Sequence, residues 1–61
     1  MPVVTIRMAS GRTLEQKRIL AAEITAAITR TLGVDPEQVF VFFEEHDKEN
    51  IAQAGRLFSE S

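Results

Sequence analysis

The chain has 61 residues, no cysteine, one histidine (His46) and a net charge of −2 at pH 7 from seven basic and nine acidic residues. These figures exclude a disulfide framework and a Cys/His zinc site, and they lack the basic excess of a nucleic-acid binder. At 44% hydrophobic the chain is too apolar for disorder, yet it contains neither a membrane-span-sized apolar run nor a signal-type start, so one cytoplasmic domain over residues 1–61 is expected, with no membrane or nucleic-acid partner.

The chain opens Met1, Pro2. A small second residue usually allows the initiator methionine to be removed, which would leave Pro2 with a free secondary amine. Such an amine is a good base and carbonyl nucleophile once its pKa, near ~8 for ordinary α-amino groups, is drawn towards neutrality. Burial and a neighbouring cation both penalise the protonated form, and Arg7 and Arg12 are close in sequence. On its own, proline here is also common in proteins that make no such use of it.

Residues 3–8 alternate, with Val3, Thr5 and Arg7 on one side and Val4, Ile6 and Met8 on the other, and are rich in β-branched side chains, which predicts a strand. A connection with Gly11 at a positive φ follows. Thr13, Leu14, Glu15 and Gln16 form a capping box, and no glycine or proline interrupts residues 14–32, so a helix is expected there. Leu20, Ile24, Ala27, Ile28 and Thr31 recur at steps of three and four and form its packed face. Gly33 suits a left-handed C-cap, and Pro36 blocks extension.

Val39, Phe40, Val41, Phe42 and Phe43 are apolar without a break, as in a strand covered on both faces. Strand, long helix and strand make a β-α-β unit with parallel strands. One helix covers only one face of a two-stranded sheet, and a chain this short buries only ~60% of its unfolded surface. With no disulfide or metal to staple it, other copies are expected to cover the remaining face. Residues 44–50 are polar and read as a solvated turn rather than a metal site. Residues 51–58 read as a short hairpin or a tail lying on a neighbour, and residues 59–61 as frayed. Arg7 reads as an interface ion-pair residue and Arg56 as a surface residue.

Taken together, Pro2, the first strand, the run Gly11, Arg12, Thr13, Leu14, Glu15, Gln16, Lys17, the segment Val41 to Glu45 and the tail Ala52, Gln53, Ala54, Gly55 resemble the 4-oxalocrotonate tautomerase family across nearly the whole chain. The resemblance implies an α/β (α+β) fold of one β-α-β unit with a C-terminal hairpin. It also implies a homo-oligomer, a hexamer built as a trimer of dimers, in which the hairpin completes a neighbour's site. The implied activity is a tautomerase free of cofactor and metal, acting on enols of 2-oxo acids in aromatic degradation. The implied catalytic residues are Pro2, the proton shuttle, and Arg12, which engages a substrate carboxylate. Well-known members carry a second arginine where this chain has Phe40 and a hairpin aromatic where it has Ile51, so both are expected to line the pocket and keep it dry. Loss of such a cation typically lowers a rate by ~10²–10³. The expected substrates are 2-hydroxydienoates such as 2-hydroxymuconate, or phenylenolpyruvate, which one arginine suffices to hold. The alternatives are dehalogenation or hydration of unsaturated acids, for which Ala9 stands where a second arginine is wanted, and a non-catalytic oligomeric module.

Overall fold

Six residues of alternating burial, 3–8, open the first strand of the structure, a computed structural model that describes residues 1–60. β1 (Val3–Ala9) turns Val4, Ile6 and Met8 inward and leaves Val3, Thr5 and Arg7 exposed. It exceeds the expected strand by Ala9, which pairs with His46.

The helix α1 (Leu14–Leu32) has the bounds that its caps dictate. The Thr13 hydroxyl accepts from the Gln16 N–H at 3.0 Å, and the Thr13 N–H donates to Gln16 Oε1 at 3.0 Å. At the other end Gly33 has φ 70° and its N–H donates to the Thr29 carbonyl at 3.0 Å. Pro36–Gln38 then forms a 3-10 turn capped by Asp35, whose carboxylate accepts from the Glu37 N–H at 2.9 Å. Replacing Thr13 with alanine orphans a helix donor and is expected to cost about 1 kcal/mol. That loss lowers the thermal midpoint by roughly 4–8 °C for a chain of this size, as followed by circular dichroism. An unchanged midpoint would show that the cap contributes nothing.

The packed face of α1 differs from the expected one. Ile24, Ala27 and Ile28 are half-buried, but so are Lys17, Ala21 and Thr25, while Leu20 is 38% exposed and Thr31 is exposed. A two-stranded sheet is narrow, so the helix rests on it along a stripe through Lys17, Ala21, Ile24 and Ile28, and Leu20 and Thr31 lie towards the stripe's edge.

β2 (Phe40–His46) pairs parallel with β1, in a register running from Val3 opposite Phe40 to Ala9 opposite His46. The expected turn at residues 44–50 is corrected: the strand runs on through Glu44, Glu45 and His46. Each glutamate has a cation beside it. On the open face Arg7 Nε lies 3.2 Å from Glu44, and on the helix face Lys17 Nζ lies 2.7 Å from Glu45. These pairs let polar residues finish an apolar strand.

A 3-10 turn, Lys48–Asn50, leads into the hairpin of β3 (Ala52–Gln53) and β4 (Arg56–Leu57). Ala54 and Gly55 at its tip have φ 53° and 81°, the two positive values that a right-twisting two-residue turn requires. The fraying expected at 59–61 is corrected for Ser59 and Glu60, which form a 3-10 turn with Phe58. Ser61, also part of that expectation, lies outside the described residues.

The described residues include none that is buried. The accessible surface is 4860 Å², against about 4,000 Å² for a compact protein of this mass. The radius of gyration is 14.7 Å, against about 10.5 Å for a globular chain of this length. Val3, Phe40 and Phe42 stand on the sheet face away from α1, with Phe42 53% exposed.

Candidate active site

The candidate residues fall at the two ends of the sheet. At the amino end, Pro2 is half-buried and its carbonyl accepts from the Phe40 N–H at 3.0 Å. This bond makes Pro2 and Phe40 neighbours at the start of both strands. The Phe40 ring lies on the open face, beside Val3 in the register. Met1 precedes Pro2 and is 84% exposed. With Met1 in place the Pro2 nitrogen is an amide and cannot act as a base.

At the carboxyl end, the Ser10 N–H donates to the His46 carbonyl at 2.9 Å, tying the exit of β1 to the exit of β2. Gly11, at φ 127°, then turns the chain towards the helix and presents Arg12. Two concavities adjoin Arg12. One, of about 280 Å³, is lined by Met8, Gln16, Lys17 and Leu20 with it. The other, of about 320 Å³, is lined by Met8, Ala9, Ser10, Gly11 and Lys48 with it.

β1 separates the two ends. Seven strand residues span about 20 Å, so one chain brings Pro2 and Phe40 together but does not bring Arg12 to them. Ile51 is half-buried at the base of the hairpin, beyond the carboxyl end. Its N–H donates to the Lys48 carbonyl at 3.3 Å and its carbonyl accepts from the Phe58 N–H at 2.9 Å. It too lies away from Pro2 within one chain.

The remaining charged candidates take structural places. Arg7 is engaged by Glu44 of its own chain, and Arg56 is exposed in β4. Among the described residues no group of three or more His, Cys, Asp or Glu is placed to hold a metal ion. Lys48, which sequence reasoning did not single out, lines the second concavity with Arg12 and stands two residues beyond the end of β2, on the side of a parallel sheet where ligands are commonly bound.

A family model described as "Tautomerase enzyme" matches residues 2–61. The chain is 45% identical over 60 residues to the 2-hydroxymuconate tautomerase of Bacillus subtilis (strain 168), covering 98% of this chain and 97% of that protein. Its fold matches that of YwhB, a homologue of 4-oxalocrotonate tautomerase, with a TM-score of 0.90 and 43% identity over 98% of each chain. It also matches a heterohexamer 4-oxalocrotonate tautomerase from Chloroflexus aurantiacus J-10-fl, with a TM-score of 0.87 and 28% identity over 98% of this chain and 97% of that one.

Proposed function

The chain belongs to the tautomerase family and is an isomerase by its likeness to relatives named tautomerase, and from that premise we propose that it ketonises 2-hydroxydienoates through the amine of Pro2. The observation that carries this reading is the division of the site. Pro2 and Phe40 share one end of the sheet, and Arg12 lies about 20 Å away at the other, while an apolar sheet face stands open. Assembly of copies, as a hexamer made from a trimer of dimers, covers that face and lets the carboxyl end of one chain meet the amino end of another. The heterohexamer relative supports assembly into six chains.

In the proposed reaction Pro2, freed of Met1, takes the proton from the 2-hydroxyl of the enol. The oxygen lone pair closes to a carbonyl, the conjugated double bonds shift, and the carbon at the far end of the system takes the proton back from the prolinium. One O–H bond is exchanged for one C–H bond, no electrons are gained or lost, and the product is a conjugated 2-oxo acid. Arg12 of a neighbouring copy grips a substrate carboxylate through its planar, two-pronged guanidinium. Phe40 and Ile51 exclude water, which favours the neutral amine at rest. A base of this kind works best with its pKa near ambient pH. A cytoplasmic setting is part of the same reading.

The test is the ultraviolet rate of ketonisation of 2-hydroxymuconate and of phenylenolpyruvate, on protein whose intact mass shows Met1 removed. Conversion of either well above the buffer rate is expected. Failure with both substrates, with Pro2 free, would leave a non-catalytic assembly.

A further inference from the structure

We infer that Lys48 is a second anion-binding residue beside Arg12 and that the pair sets a preference for dicarboxylate substrates; the inference rests on the tautomerase reading above and names its substrate class. Phe40, the residue bonded to Pro2 at the amino end of the site, carries no charge, which by itself favours a monocarboxylate. The carboxyl end compensates. Arg12 and Lys48 line the same concavity of about 320 Å³. Neither has an ion-pair partner among the described residues, whereas Arg7, Lys17 and Arg18 are each held by a glutamate. Asp47 and Glu49 flank Lys48 in sequence, yet no carboxylate lines the concavity. Two cationic residues without an ion-pair partner among the described residues therefore line one space whose other walls are Met8, Ala9, Ser10 and Gly11.

The topology explains the meeting. β1 and β2 run parallel and end together at Ala9 and His46. The Ser10 N–H bond to the His46 carbonyl, 2.9 Å long, holds the segment carrying Arg12 against the turn carrying Lys48. The guanidinium supplies directed hydrogen bonds to a carboxylate and the ammonium a point charge. Met8 and Ala9 are the apolar residues of the same lining. A substrate with a second carboxylate at its far end uses both cations, and one ending in a methyl or a phenyl group leaves Lys48 unused.

Binding of muconate and of sorbate, unreactive six-carbon dienes with two carboxylates and one respectively, tests this by titration calorimetry on the assembled protein without Met1. Lys48→Gln is expected to weaken muconate about tenfold, the lower end of what one charge-assisted hydrogen bond supplies, and to leave sorbate within about twofold. Lys48→Arg is expected to keep muconate affinity. Arg30→Gln, which removes the same charge at the far end of α1, is expected to change neither. In turnover, Lys48→Gln raises KM for 2-hydroxymuconate with kcat little altered and spares phenylenolpyruvate. Muconate affinity unchanged in Lys48→Gln, lost equally with sorbate, or lost equally in Arg30→Gln would overturn the assignment. Because muconate does not react, these binding results stand whether or not Pro2 proves to be the base. Absence of turnover in the parent protein bears on Pro2 and leaves the binding comparison to decide on Lys48.

Discussion

Pro2→Ala protein, with Met1 removed, ketonises its best substrate with kcat/KM lowered by about 10²–10³, within the range that a positioned general base contributes. The loss is chemical rather than structural, because the bond that fixes residue 2 runs from the Phe40 N–H to the residue 2 carbonyl and alanine keeps that carbonyl. A primary amine remains in the same place, so some activity persists. A variant in which Met1 is retained loses this route entirely, since an amide nitrogen has no basic lone pair. Stopped-flow or steady-state absorbance gives the rates, intact mass gives the state of residue 1, and circular dichroism shows that the fold is unchanged. Full activity in either protein would mean that another group moves the proton. Among the described residues at the amino end, Phe40 and Val3 offer none.

The local instructions for the fold are legible in the chain. Thr13 and Gln16 state where α1 begins, Gly33 states where it ends, and the structure uses all three. The alternation of residues 3–8 assigns each side chain of β1 to the side it takes. Less legible is whatever depends on a partner distant in sequence. Glu44 and Glu45 look like a polar turn until Arg7 and Lys17 are known to stand beside them, and only then does β2 extend to His46. Leu20 has helical spacing with Ile24, but the width of a two-stranded sheet, not periodicity, decides which of them is covered. The site shows the same division. Pro2 and Arg12 are chosen by residue chemistry and by resemblance, but their separation at opposite ends of β1 follows from the strand's direction. Lys48 became visible only when the two strand exits were seen to lie side by side.

The largest structural effect is expected from Phe42→Asp. Phe42 is opposite Thr5 on the face away from α1 and is 53% exposed in the single chain. A monomer would tolerate the change within about 0.5 kcal/mol, as exposed positions generally do. If copies cover that face, each loses about 1.5–3 kcal/mol of apolar burial and must also bury a carboxylate that Arg7, already engaged by Glu44, does not neutralise. With no buried residue of its own among those described, the separated chain has little left to hold β1, α1 and β2 together. Sedimentation should therefore show the mass of a single chain, dichroism should show lost or concentration-dependent structure, and ketonisation should fall with assembly, because Arg12 and Pro2 then have no second chain through which to meet. A variant of unchanged mass, midpoint and activity would exclude the open face as the contact surface. The roughly 20 Å between Pro2 and Arg12 would then have to be bridged by some other surface of the protein, and the division of the site between chains would have to be redrawn.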